Sequence, residues 1–214
     1  MARKDMDQRR NLYGSLMEEV KLRIDCIDRA VRGQTGFPGP IVREFCYGQL
    51  RLLCELISLG CLIAHGDIPA TYSKRLGKEY SADAIMKELE KLRPHFYPIA
   101  IKQAGWTPHG DKKMHRAEGI NPPPLPKEAL LDLYGHTHKH LHRGNVRKLL
   151  DSETPIEMAT NFPEIVSWAQ KINDQLNVHF IAISEDYLIF CMLRTIEAGG
   201  RVTTGVLEKR DVPL

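Results

Sequence analysis

The stretch from Tyr134 to Asn145, YGHTHKHLHRGN, gathers four of the chain's nine histidines. On a helix, His136 and His140 share one face, and His138 and His142 share a neighbouring one, each pair four residues apart. Two chemistries suit that spacing. In one, His136 and His140 hold a zinc or another transition ion. No glutamate completes an HExxH arrangement, and no third ligand follows at motif spacing. In the other, a pair of histidines at the helix end, beside Arg143 and Lys139 and titrating near neutrality, acts as base and acid on a phosphodiester. Arg143 would then grip the phosphate, because its planar fork matches phosphate oxygens. The bland alternative is that one or two of these histidines pack or hydrogen-bond while the rest are wet. The default expectation is no cofactor, with a transition metal as the alternative.

Two more groups can carry chemistry. Glu44, Tyr47, Arg51 and Glu55 fall three and four residues apart in an otherwise apolar stretch, which makes them one stripe of a helix. That stripe is either a solvent-facing edge with an Arg51–Glu55 ion pair or a polar seam that brings Arg51 and Glu55 into a catalytic cleft. Lys112, Lys113, His115 and Arg116 form a basic cluster, and with Lys139 they are candidates for contact with nucleic acid. From Lys102 to Lys148 there are nine Lys/Arg against four Asp/Glu, whereas Asp151–Glu197 has eight acids against two bases. The two regions either complement each other inside one molecule or expose a basic surface for an anionic ligand.

The elements that position these residues follow from periodicity. Leu12, Leu16, Val20, Ile24, Ile27 and Val31 recur at steps of three and four, so a helix runs from about Asp5 to Val31 and stops at Gly33. A second helix starts near Pro40 and ends at His65, with Gly66 as stop signal. It is apolar on nearly all sides, as in the central member of a bundle. A short helix spans Pro69–Leu76, and another follows Ser81 as N-cap and ends before Pro94. Residues 94–126 hold seven prolines and three glycines without sustained periodicity, and read as a long irregular loop. A helix begins after Pro126 and closes at Gly144-Asn145. Asn161 caps a further helix, with Glu164 three residues on in capping-box position. Val178–Ile183, Tyr187–Leu193 and Val202–Leu207 then read as a three-stranded antiparallel meander covered by that helix.

The composition is that of an ordinary globular chain: 214 residues, 43% hydrophobic, 27% charged, net charge +3. No uninterrupted apolar run reaches the roughly 20 residues of a membrane span. The N-terminus begins with charge rather than a secretory segment, and the five cysteines form no CxxC pair. A cytoplasmic protein with structural thiols is the expectation. P-loop, GxGxxG and GxSxG patterns are absent, which leaves nucleotide hydrolysis, Rossmann binding and α/β-hydrolase chemistry unsupported.

The long amphipathic first helix, the Arg43–His65 helix ending in His65-Gly66-Asp67, and the late helix running from Tyr134-Gly135 to Leu141-His142-Arg143-Gly144 together resemble the HEPN superfamily of helical-bundle proteins over residues 5–150. The resemblance implies a homodimer. HEPN ribonucleases place an arginine, then four to six intervening residues, then a histidine. By position His142 is that histidine, and the arginine would fall at Gly135, His136 or Thr137, where none stands. Either His136, Arg51 or Arg143 substitutes, or the chain is a non-catalytic module. The expected architecture is therefore mainly α. A HEPN-like bundle over residues 1–150, with an irregular loop at 94–126, precedes an α+β subdomain at 151–214. Three functions follow: a dimeric binding module for nucleic acid or protein acting through Lys112–Arg116, a metal-independent ribonuclease, and a metal-binding protein. The missing arginine puts the binding module first.

Overall fold

The structure, a computed structural model, describes residues 3–65, 79, 81–93, 95–109, 112–141, 162–184 and 186–208, with side chains for all of these except 3–4, 103–109 and 112–116. Among the described residues are five α-helices: α1 (Arg3–Val31), α2 (Gly39–Ala64), α3 (Ala82–Leu92), α4 (Lys127–Leu141) and α5 (Pro163–Leu176). Five strands, β1 (Ile99–His109), β2 (Lys112–Gly119), β3 (Val178–Ala182), β4 (Tyr187–Thr195) and β5 (Arg201–Glu208), form one antiparallel sheet in the order β2-β1-β3-β4-β5. The expected helix over Pro69–Leu76 and the stop at Gly66 lie outside the described residues.

α2 is the central helix. α1, α3, α4 and α5 all pack on it, and among its apolar residues only Ile41 and Leu52 remain exposed. By length and composition alone α2 would pass as a membrane span, but 56% of its most apolar window is buried inside this fold. Pro40 sits in its first turn, where a missing N–H costs nothing. α1 ends where Gly33 and Gly36 take positive φ values of 74° and 69°.

The buried face of α1 differs from the periodic expectation in its first half. Tyr13 and Met17 are fully buried, whereas Leu12 is exposed and Leu16 only half-buried against the core, and the stripe continues through Val20, Ile24, Ile27 and Ala30. The cause lies in two partners distant in sequence. A Cβ at Gly60 of α2 would stand 3.1 Å from Tyr13 Cε2, so α1 approaches α2 closely at that point. The Tyr13 hydroxyl also reaches His179 Nε2 at 2.6 Å in the interior.

The sheet has five strands, not three. Residues 94–126 are not an irregular loop throughout, because 99–109 and 112–119 form a hairpin. β1 joins the meander β3-β4-β5 through only two residue pairs, Ile99↔Phe180 and Ala100↔His179. From Ile101 to His109 its ladder with β2 runs on alone. Such a two-stranded ribbon needs no alternating apolar face, and Pro108 is tolerated where a strand has no second neighbour. The register slips between Gln103 and Trp106, a bulge in which Ala104 and Gly105 oppose Arg116. These features hide a strand from period-2 reading.

Bundle and sheet share one hydrophobic cluster, in which Tyr13, Leu50, Ile85 and Leu130 pack with Ile172, Ile181 and Leu193. The buried Gln175 fastens the base of the ribbon. Its Oε1 accepts from the Leu125 amide at 3.1 Å, and its Nε2 donates to the Pro98 carbonyl at 2.8 Å.

Candidate functional site

α4 carries two polar groups on different faces while Leu130, Leu133 and Thr137 face the core. On one face, His136 and His140 are brought together as their spacing predicts, with Nε2 atoms 2.9 Å apart. His136 Nε2 also lies 3.0 Å from Glu164 Oε1, contributed by the first turn of α5. Tyr47 of α2 completes the group. Its hydroxyl donates to Glu164 Oε2 at 3.0 Å, and its ring stacks on His140 at 3.9 Å, within 5° of parallel. Burial pushes the His140 imidazole below its ordinary value, and burial together with the bond to Glu164 pushes the Tyr47 phenol to about 12. Four residues from three helices thus form a chain running from phenol through carboxylate and imidazole to imidazole.

Glu164 stands in the capping-box position three residues after Asn161. Asn161, the other half of that box, lies outside the described residues; the described helix begins after Phe162, and the Glu164 carboxylate is engaged by Tyr47 and His136. Ser81 makes no side-chain cap to α3. The only sequence signal for Tyr47 is its place in the polar stripe of α2.

The other half of that stripe meets the second face of α4. Arg51 Nη2 donates to the Tyr134 hydroxyl at 2.7 Å, Tyr134 donates to Glu55 Oε1 at 3.2 Å, and Arg51 Nε lies 3.3 Å from the same carboxylate oxygen. The guanidinium also sits 4.3 Å from the Tyr134 ring centroid. Arg51 and Glu55 are half-buried, so this half of the stripe is a seam between α2 and α4, while Glu44 at its start is exposed. Beside it opens a cleft of about 500 Å³ lined by Arg51, Ser81, Asp83, Tyr134, Gly135 and His138. Arg51 and His138 therefore line one cleft, while Glu55 stands behind it, bonded to Arg51 and Tyr134. His142 and Arg143, the other two candidate catalytic residues, lie outside the described residues.

The basic candidates are placed by backbone alone. Lys112, Lys113, His115 and Arg116 all belong to β2, and the register sets Lys112 opposite His109, Lys113 opposite Pro108 and His115 opposite Trp106. Lys139 is exposed on α4, apart from that strand in the chain. At about 3.3 Å per residue, the ribbon from Ile101 to His109 extends about 26 Å.

No protein-family model, no curated protein and no solved structure matches this chain.

Proposed function

We propose that this protein is a non-enzymatic binding module that holds a nucleic-acid duplex through the β1–β2 ribbon. One observation carries the reading: the ladder runs past β3 as a two-stranded ribbon whose outer strand contains Lys112, Lys113, His115 and Arg116. A two-stranded ribbon matches the width of the DNA major groove, and cations along it neutralise phosphates and release counterions. The engaged state of Arg51, held by both Glu55 and Tyr134, supports binding over cleavage as the role of the bundle. The same reading takes residues 5–150 as a HEPN-like bundle acting as a homodimer in the cytoplasm, supported by the order of α1, α2 and the histidine-bearing α4 and by the free cysteines. Light scattering at micromolar concentration checks the dimer, and a monomer mass removes it.

The test of binding is fluorescence anisotropy with 20-bp DNA and RNA duplexes and a single-stranded RNA across 50–200 mM salt. The variant Lys112→Ala/Lys113→Ala/Arg116→Ala is expected to bind more weakly and to lower the log–log salt slope by about 3, close to one unit per lost phosphate contact. Its melting temperature should stay within a degree or two of wild type. An unchanged slope and affinity would remove the ribbon from the binding surface.

A further inference from the structure

We propose that His136 and His140 chelate a divalent transition-metal ion on α4, with the Glu164 carboxylate beside the ion and Tyr47 holding the assembly in place. The inference is independent of the ribbon and stands whether or not nucleic acid binds. Its basis is the convergence of lone pairs. Two imidazole nitrogens 2.9 Å apart leave room for one proton between them. His136 Nε2 faces a carboxylate oxygen as well, so the consistent assignment has the His136 Nε2–H shared between Glu164 Oε1 and His140 Nε2. His140 Nε2 is then an unprotonated acceptor aimed at His136 Nε2, and a cation in place of the proton between them satisfies both imidazole nitrogens, with the Glu164 carboxylate nearby as countercharge.

The geometry asks for little change. Two nitrogens bound at 2.0–2.1 Å to a tetrahedral ion stand about 3.3 Å apart, so the pair must open by about 0.4 Å. Side chains at i and i+4 supply that by small torsional adjustments. Half the chelate is already oriented, because His140 lies flat on the Tyr47 ring, and Tyr47 is only 1% exposed. The same phenol fixes Glu164 through its second oxygen. Supporting bonds of this kind commonly account for 10–100-fold in metal affinity. Arg43 and Lys139 bring positive charge toward His140, and the Glu164 carboxylate offsets it. Among the described residues no group of three or more His, Cys, Asp or Glu side chains is placed to hold a metal ion, so the chelate is the histidine pair alone and water fills the remaining positions. Two imidazoles select zinc, nickel, copper or cobalt over magnesium or calcium.

The test uses full-length, chelator-treated protein titrated with Zn²⁺ by calorimetry at pH 7.5, with the visible spectrum of Co²⁺ as a second readout. One equivalent is expected to bind. His140→Ala should weaken it at least tenfold, His136→Ala/His140→Ala should abolish it, and Glu164→Gln should weaken it about tenfold. His95→Ala, an exposed histidine elsewhere, should leave it unchanged. Failure of the wild type to bind one equivalent overturns the proposal. So does wild-type affinity in the double variant, which would assign the ion to other histidines, or in Glu164→Gln, which would mark it as adventitious. Circular dichroism of each variant confirms that a loss of binding is not a loss of fold.

Discussion

Acid should destabilise this protein through His179, and the size of the effect follows from its surroundings. The imidazole is fully buried, with Nδ1 2.8 Å from the Leu176 carbonyl and Nε2 2.6 Å from the Tyr13 hydroxyl. Nδ1–H donates to the carbonyl, so Nε2 is the acceptor for Tyr13. Protonating Nε2 would place a charge in the core and turn an acceptor into a donor facing a donor. Burial accordingly pushes the group down from 6.5 to about 4. In the unfolded chain it titrates near its ordinary value, about 6.5. The unfolded state therefore binds more protons between those values. The stabilisation is complete above about pH 6.5, declines as pH falls through the window, and is gone below about pH 4. At about 1.4 kcal/mol per unit, about 2.5 kcal/mol should be lost by pH 4.5. With a urea m value of about 2 kcal/mol/M, the midpoint should fall by about 1 M. Urea unfolding of wild type and His179→Gln at pH 7.5 and 4.5 measures it, because subtracting the two pH responses removes the contribution of other acid-titrating groups. Equal losses in both proteins would refute the reasoning. As a companion, Tyr13→Phe strands a buried acceptor and should cost about 1–3 kcal/mol at pH 7.5.

Two further outcomes follow from the packing. Gln175→Leu leaves the Leu125 amide and the Pro98 carbonyl without their partner, and should cost about 2–4 kcal/mol while weakening duplex binding through the base of the ribbon; thermal melts and anisotropy on the same sample check both. Gly48→Ala in α2, with open space around the new methyl, should gain up to about 1 kcal/mol of helix propensity, whereas Gly60→Ala should gain none because Tyr13 is pinned by His179 and cannot give way. Equal melting shifts for the two alanine variants would show that α1 yields at that crossing.

The legible parts of the fold were those governed by local sequence. The apolar steps of α1 and α2, the glycines after Val31, the proline starts of α2 and α5 and the β-branched runs of β3–β5 each act within a few residues. The ribbon was illegible because its sequence shows no alternating apolar pattern, and Pro98, Pro108 and Gly105 look like loop signals. Burial of Tyr13 rather than Leu12 depended on Gly60 and His179, which no local pattern reveals. At the histidine cluster, spacing brought out His136 and His140, since i and i+4 on a helix meet by geometry. Tyr47 and Glu164 were not connected to them, because three helices must pack before those side chains converge. Position alone fits Glu164 equally well to a capping role.

The narrow joint between β1 and β3 has a consequence for the order of folding. Pairings within β3–β5 connect neighbouring stretches of the chain, and the β1–β2 ribbon closes on itself, so both can form early with little loop entropy lost. Joining β1 to β3 instead ties residues about 80 positions apart through two residue pairs, which places it after both. The sheet would then be completed by docking two preformed pieces. Pulse-labelling hydrogen exchange during refolding should show β4 and β5 amides protected before the amides that bridge Ile99–Ala100 to His179–Phe180, and simultaneous protection would argue for a single concerted closure.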